Sequence, residues 1–131
     1  MKFLGIDYGE KRIGLATSDE RGMFAFPKLV VENGIDTLDK IGEILKENKI
    51  TEIVIGKSLD MKGEDNPIME QIEEFSEKLG RRFSLPVHKE KEFLTSVEAR
   101  RYHEGDGRVD ASAAALILQR YLDRRNNKSG D

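Results

Sequence analysis

The first nine residues, Met1-Lys2-Phe3-Leu4-Gly5-Ile6-Asp7-Tyr8-Gly9, limit the fold more than any other stretch of the chain. They read as a short strand. Alternate side chains of an extended chain share a face, so Phe3, Gly5 and Asp7 point one way and Leu4, Ile6 and Tyr8 the other. Both sets are largely apolar, which is the pattern of a strand covered on both sides in the middle of a sheet. A lone carboxylate there is costly to desolvate unless it is paired or holds a cation. Gly5 and Gly9 flank Asp7 without side chains and leave room for a ligand to approach the backbone. Read by itself, the same Asp also serves as a strand-end residue that starts a turn at Asp7-Tyr8-Gly9.

From there the chain alternates predictably. Arg12–Ser18 reads as a returning strand, and the apolar run from Met23 to Glu32 as a third, giving an antiparallel meander. Asp36 is placed to cap a helix to about Asn48, with Leu38, Ile41, Ile44, Leu45 and Asn48 as its inner stripe. Ile53-Val54-Ile55-Gly56 is a fully apolar strand, followed by a polar loop from Lys57 to Asp65. Asn66-Pro67 opens a second helix with Ile68, Ile72, Phe75 and Leu79 inward. Leu85 to Glu92 forms a fifth strand, and Thr95-Ser96-Val97-Glu98 fits a capping box for a helix to about His103. A last helix spans Arg108 to about Arg124, with Ala113, Ala114, Ile117, Tyr121 and Leu122 available for packing. The order is three antiparallel strands followed by βαβ crossovers, an α/β fold with a mixed five-stranded sheet and helices on both faces.

The 131 residues suit one domain, expected over 1–125 with a flexible tail at 126–131. The absence of cysteine excludes disulfides and thiolate chemistry. No run approaches a membrane span and the chain enters a strand at once instead of a signal peptide, so a cytoplasmic protein without membrane association is expected. A net charge of −3 offers a polyanion no general attraction, but the basic pairs Lys11-Arg12, Arg81-Arg82, Arg100-Arg101 and Arg124-Arg125 concentrate positive charge.

Three carboxylates fall where such a sheet can gather them: Asp7 on the first strand, Glu92 near the end of the fifth, and Asp110 in the first turn of the last helix, before the small-residue run Ala111-Ser112-Ala113-Ala114-Ala115. Oxygen-only ligation suits Mg²⁺ or Mn²⁺. Each acid alone also has a plain structural reading, Glu92 as a solvated charge and Asp110 as a carboxylate favoured by its helix dipole.

These residues carry a resemblance. Gly5-Ile6-Asp7-Tyr8-Gly9 with Lys11-Arg12-Ile13-Gly14-Leu15-Ala16 and Ser18-Asp19 is similar to the opening of the YqgF family. Val54-Ile55-Gly56 with Leu59, Met61 and Gly63 resembles its central strand and Gly-rich loop. Glu92 with Leu94-Thr95-Ser96-Val97-Glu98-Ala99 resembles its Asp-Glu-Arg-Leu-Thr-Thr motif, and Val109-Asp110, Ala113-Ala114, Ile117-Leu118-Gln119 and Tyr121-Leu122 its C-terminal helix. The resemblance implies a ribonuclease H-like fold. It also implies a Mg²⁺- or Mn²⁺-dependent nuclease that cuts phosphodiester bonds in structured nucleic acid, either at the 5′ end of pre-16S ribosomal RNA, in ribosome biogenesis, or in Holliday junctions. Asp7, Glu92 and Asp110 are then the catalytic, metal-holding acids. Arg12, Lys57, Arg100 and Arg101 are candidates for contact with nucleic acid, and the protein would act as a monomer or homodimer. Four positions depart from the pattern: Lys91 and Phe93 replace the Asp and Arg that flank the motif's Glu, Ser58 replaces a Pro, and Asp60 an Asn. The first two motivate an alternative, a nucleic-acid or ribosome-associated binding module with weakened catalysis. An actin-like ATP-binding domain, which also begins on a strand with Asp-x-Gly, fits poorly with one short domain and one Gly-rich loop.

Overall fold

The computed structural model describes residues 1–59, 62, 64, 67–93 and 111–129. Five strands form one sheet: β1 (Phe3–Tyr8), β2 (Arg12–Ser18), β3 (Ala25–Glu32), β4 (Glu52–Leu59) and β5 (Val87–Phe93), in the spatial order β3-β2-β1-β4-β5. The described helices are α1 (Thr37–Glu47), α2 (Met69–Phe83) and α3 (Ala111–Ser129). β1 is central, antiparallel to β2 and parallel to β4, and β4 is parallel to β5. That is the mixed sheet the apolar pattern on both faces of β1 requires.

The alternation along β1 divides the core in two. Leu4 and Ile6, both fully buried, join Ile13, Leu15, Ile53 and Ile55 beneath α1 and α2, which contribute Ile41, Ile44, Leu45, Ile72, Phe75 and Leu79. Phe3 turns to the other face and packs with Ala16, Val54, Ala114, Ile117, Leu118 and Leu122 under α3. Each buried Leu or Ile contributes about 1.5–3 kcal/mol of transfer free energy, so a one-residue slip of β1 is excluded energetically.

Several boundaries differ from expectation. Asp36 occupies the N-cap position of α1 but makes no side-chain cap; the Thr37 hydroxyl instead accepts from Gly34 N (2.7 Å) and donates to Glu32 O (2.9 Å), closing the turn between β3 and α1. The loop expected from Lys57 is strand as far as Leu59, because β5 pairs with it throughout. α2 starts at Met69, with Ile68 at the N-cap position. The chain from Arg125, expected to fray into a flexible tail over 126–131, remains helical to Ser129. Tertiary contacts hold it there: Arg125 lies over the Phe3 ring at 5.3 Å and Asn126 donates to Gly22 O at 3.0 Å. Asn66, the capping-box helix at 95–103, Arg100, Arg101 and Asp110 lie outside the described residues.

Candidate active site

Asp7 sits on the α3 face of the central strand and is only 7% exposed. It shares that face with Phe3 and Gly5 by the strand period. Across the antiparallel ladder Asp7 lies opposite Gly14. On the other side, β1 and β4 are in register up to Ile6 and Ile55, and one further step brings Gly56 beside Asp7. Gly56 in turn lies opposite Glu90. A row therefore crosses four strands as Gly14, Asp7, Gly56, Glu90. The two glycines place no side chain beside the carboxylate on either neighbouring strand.

The helix over this face is placed by glycine. A Cβ on Gly5 would lie 2.7 Å from Leu118 Cβ and 3.0 Å from the Ala114 carbonyl oxygen, so α3 rests on the bare backbone of β1. Nearer the start of β1, the Phe3 ring meets Tyr121 at 5.9 Å between centroids. Residue numbers thus rise along β1 as they fall along α3, and the two run antiparallel. From Gly5 to Asp7 is about 6.7 Å of strand, or roughly four to five helical residues. Counting from the Ala114 and Leu118 contacts, Asp7 comes level with the first turn of α3, directly after Asp110 in sequence.

The other expected site residues are placed as follows. Arg12 begins β2, exposed, two residues from Gly14 and so on Asp7's face at the open end of the sheet. Position 92 pairs with Ser58, one row beyond the Asp7 row. Lys57 pairs with Lys91, and the strand period assigns both to the α1/α2 face, away from Asp7. Among the described residues no three His, Asp or Glu side chains converge as a metal-holding group.

Sequence reasoning missed Glu90. It is 6% exposed and its carboxylate is paired with Arg124 of α3 at 2.5 Å. Because Oε1 of Glu90 has no aligned hydrogen bond, this is an ion pair held by charge more than by directional bonding. One row further down, His88 contacts Glu52 at 2.9 Å and stacks on Tyr121, with 5.1 Å between ring centroids. Burial, and after it the Glu52 carboxylate, pushes the Tyr121 phenol above its ordinary pKa against the opposing pull of Arg125 and Arg124. The available signal was the alternation of His88, Glu90 and Glu92, which gives all three positions one face of β5.

The chain superposes on Thermus thermophilus RuvC solved in complex with a Holliday junction substrate, with TM-score 0.56, 14% identity, and 95% of this chain and 96% of that one covered. A second T. thermophilus RuvC structure gives TM-score 0.56 at 13% identity, covering 97% of each chain. These likenesses place the fold among the ribonuclease H-like sheets. In sequence, a protein of Maridesulfovibrio salexigens named "Putative pre-16S rRNA nuclease" is 38% identical over 95% of this chain and 99% of its own length. A protein of the same name from Ruminiclostridium cellulolyticum is 39% identical, covering 95% of each. Residues 1–124 match the family model described as RuvX, Holliday junction resolvase, and the chain belongs to that family.

Proposed function

We propose that the protein is a divalent-metal-dependent endonuclease that hydrolyses phosphodiester bonds in structured nucleic acid, with precursor 16S ribosomal RNA and branched DNA as the substrate classes its relatives point to. The observation that carries this reading is Asp7: a carboxylate 7% exposed, on the central strand, with Gly14 beside it and the first turn of α3 at its height. A buried acid with no side chains on either flank, in a chain without cysteine, suits a hard cation bound through oxygen. Asp7, Glu92 and Asp110 are the residues that would hold Mg²⁺ or Mn²⁺. When bound, such a cation supplies Lewis acidity at the scissile phosphate and charge neutralisation for water attack.

The chain's own residues prepare the rest. Asp7 offers a carboxylate at one point on the face, and Arg12, at the start of β2 on the same face, offers a guanidinium for a flanking phosphate. The helices are charged unequally. α3 carries Arg120, Arg124 and Arg125 against Asp123 among its described side chains, whereas α1 and α2 together carry seven carboxylates against five cations. A polyanion approaching a molecule of net charge −3 is steered to the α3 face, where Asp7 lies.

Lys91 and Phe93 motivate the alternative, a binding module with weakened catalysis. The register assigns Lys91 to the face opposite Asp7, so its charge is not on Asp7's face. This favours the nuclease reading. The test is incubation of purified protein with Mg²⁺ or Mn²⁺ and a pre-16S RNA fragment, a four-way DNA junction, or linear duplex DNA. Metal-dependent, chelator-sensitive cleavage of at least one structured substrate is expected; cleavage of neither overturns the proposal.

A further inference from the structure

We propose that Glu90 and Arg124 are positioning residues that set where the first turn of α3 stands against Asp7; the inference rests on the nuclease reading above. α3 is tied to the sheet on both sides, but unequally. Toward β3 it has neutral hydrogen bonds: Gln119 accepts from Ala25 N (2.9 Å) and donates to Met23 O (2.9 Å), and Asn126 donates to Gly22 O (3.0 Å). Toward β5 its contacts include the stacking of Tyr121 on His88 and one ion pair, Arg124 with Glu90. The Glu90 side chain is 8% exposed and the Arg124 side chain 50%. A carboxylate buried that deeply is costly without a counter-ion, so the Arg124 guanidinium is held where Glu90 requires it.

Geometry turns this anchor into a lever. α3 rests on Gly5 through Ala114 and Leu118. From the midpoint of that contact, Arg124 is about 12 Å toward one end of the helix and Ala111 about 7 Å toward the other, at 1.5 Å per residue. A helix pivoting there carries roughly six-tenths of any displacement at Arg124 to its first turn. Misplacement of a reacting group by about 1 Å can cost on the order of 100-fold in rate, so a shift of 1–2 Å at the anchor is enough to matter. The anchor also stands on the right strand. Glu90 is in the Asp7 row and two residues from position 92, so one segment of β5 both contributes to the site and holds the helix that completes it.

The test compares Arg124→Met, which keeps the aliphatic stem, with Arg124→Lys, which keeps the charge, and with Glu90→Gln. Two readouts are taken: kcat and KM on a structured substrate that the wild type cleaves, and amide hydrogen exchange along α3 in metal-free protein. Arg124→Met and Glu90→Gln should lower kcat by about 10- to 100-fold with KM within about twofold. Both should raise exchange at Ala111–Ala115, remote from the substituted side chains, and Arg124→Lys should recover most of both effects. Unchanged kcat with faster exchange confined to residues 120–129 overturns the proposal. A raised KM with kcat preserved also overturns it, making Arg124 a substrate contact. If the wild type cleaves nothing, the nuclease reading fails by itself, and hydrogen exchange alone decides whether the anchor acts at a distance.

Discussion

Gly5 lies directly beneath Leu118, so close that a methyl group on the glycine would stand 2.7 Å from the leucine Cβ. The second obstacle is backbone, the Ala114 carbonyl oxygen at 3.0 Å, which cannot rotate away as a side chain can. Gly5→Ala must therefore lift α3. Overpacking of this kind costs about 1–3 kcal/mol. The lift also moves the helix start away from Asp7. Urea denaturation should show the loss of stability, and cleavage should fall by more than the folded fraction does. A variant with wild-type stability would mean that α3 is not seated on β1 as described.

Asp19 supplies the clearest pH dependence. Its carboxylate accepts from Phe24 N (3.1 Å) and Met23 N (2.8 Å), and these bonds hold its pKa below the ordinary carboxylate value, the Phe24 bond contributing most. A depressed folded-state pKa contributes stability that is present above the unfolded value near 3.9 and lost as pH falls through the folded one. Asp19→Asn should thus be less stable than wild type above about pH 5, and the gap should close below about pH 4. Denaturant midpoints of both proteins from pH 7 to pH 2 check this. A gap independent of pH would refute the assignment.

The sequence discloses the fold far better than the site. Two-faced apolarity places β1 at the centre, and the side-chain period alone separates Phe3 and Asp7 from Leu4 and Ile6. What local pattern cannot supply is the register between parallel strands. That register depends on how α2 packs and how its flanking loops run, and it decides that Glu90, not Glu92, stands in Asp7's row. The same limit explains Lys57-Ser58, polar enough to read as loop yet drawn into β4 by its pairing with β5. It also explains the end of α3, where Asn126 and Asn127 are weak helix formers but Arg125 and Asn126 find partners on Phe3 and Gly22.

Arg12 tests whether local charge or overall charge governs substrate binding. It is exposed at the open end of β2 on Asp7's face, while the whole chain carries a net −3. Arg12→Glu should weaken RNA and DNA binding alike, because a phosphate contact carries no sequence information. Each lost phosphate contact should also reduce the slope of log K against log salt by roughly 0.7–0.9. Binding measured at several salt concentrations reads both. An unchanged slope would remove Arg12 from the interface.

Asp7 tests the metal itself. Asp7→Asn removes the charge with little change in shape, in a row whose neighbours on β2 and β4 are glycines and therefore add no steric cost. In metal-free protein the variant should be folded, since Asn fills nearly the same volume as Asp at this buried position. With Mg²⁺ or Mn²⁺ the wild type should gain an advantage. Binding to the native state alone stabilises by RT ln(1 + [L]/Kd), about 1–3 kcal/mol at concentrations well above Kd, and the wild type should show this shift while Asp7→Asn loses most of it. Cleavage should disappear with it. The two readouts separate the possible failures. Metal stabilisation retained without cleavage would place the ion elsewhere and leave Asp7 a role in the reaction alone, whereas retention of both would end the assignment of Asp7 as a metal-holding acid.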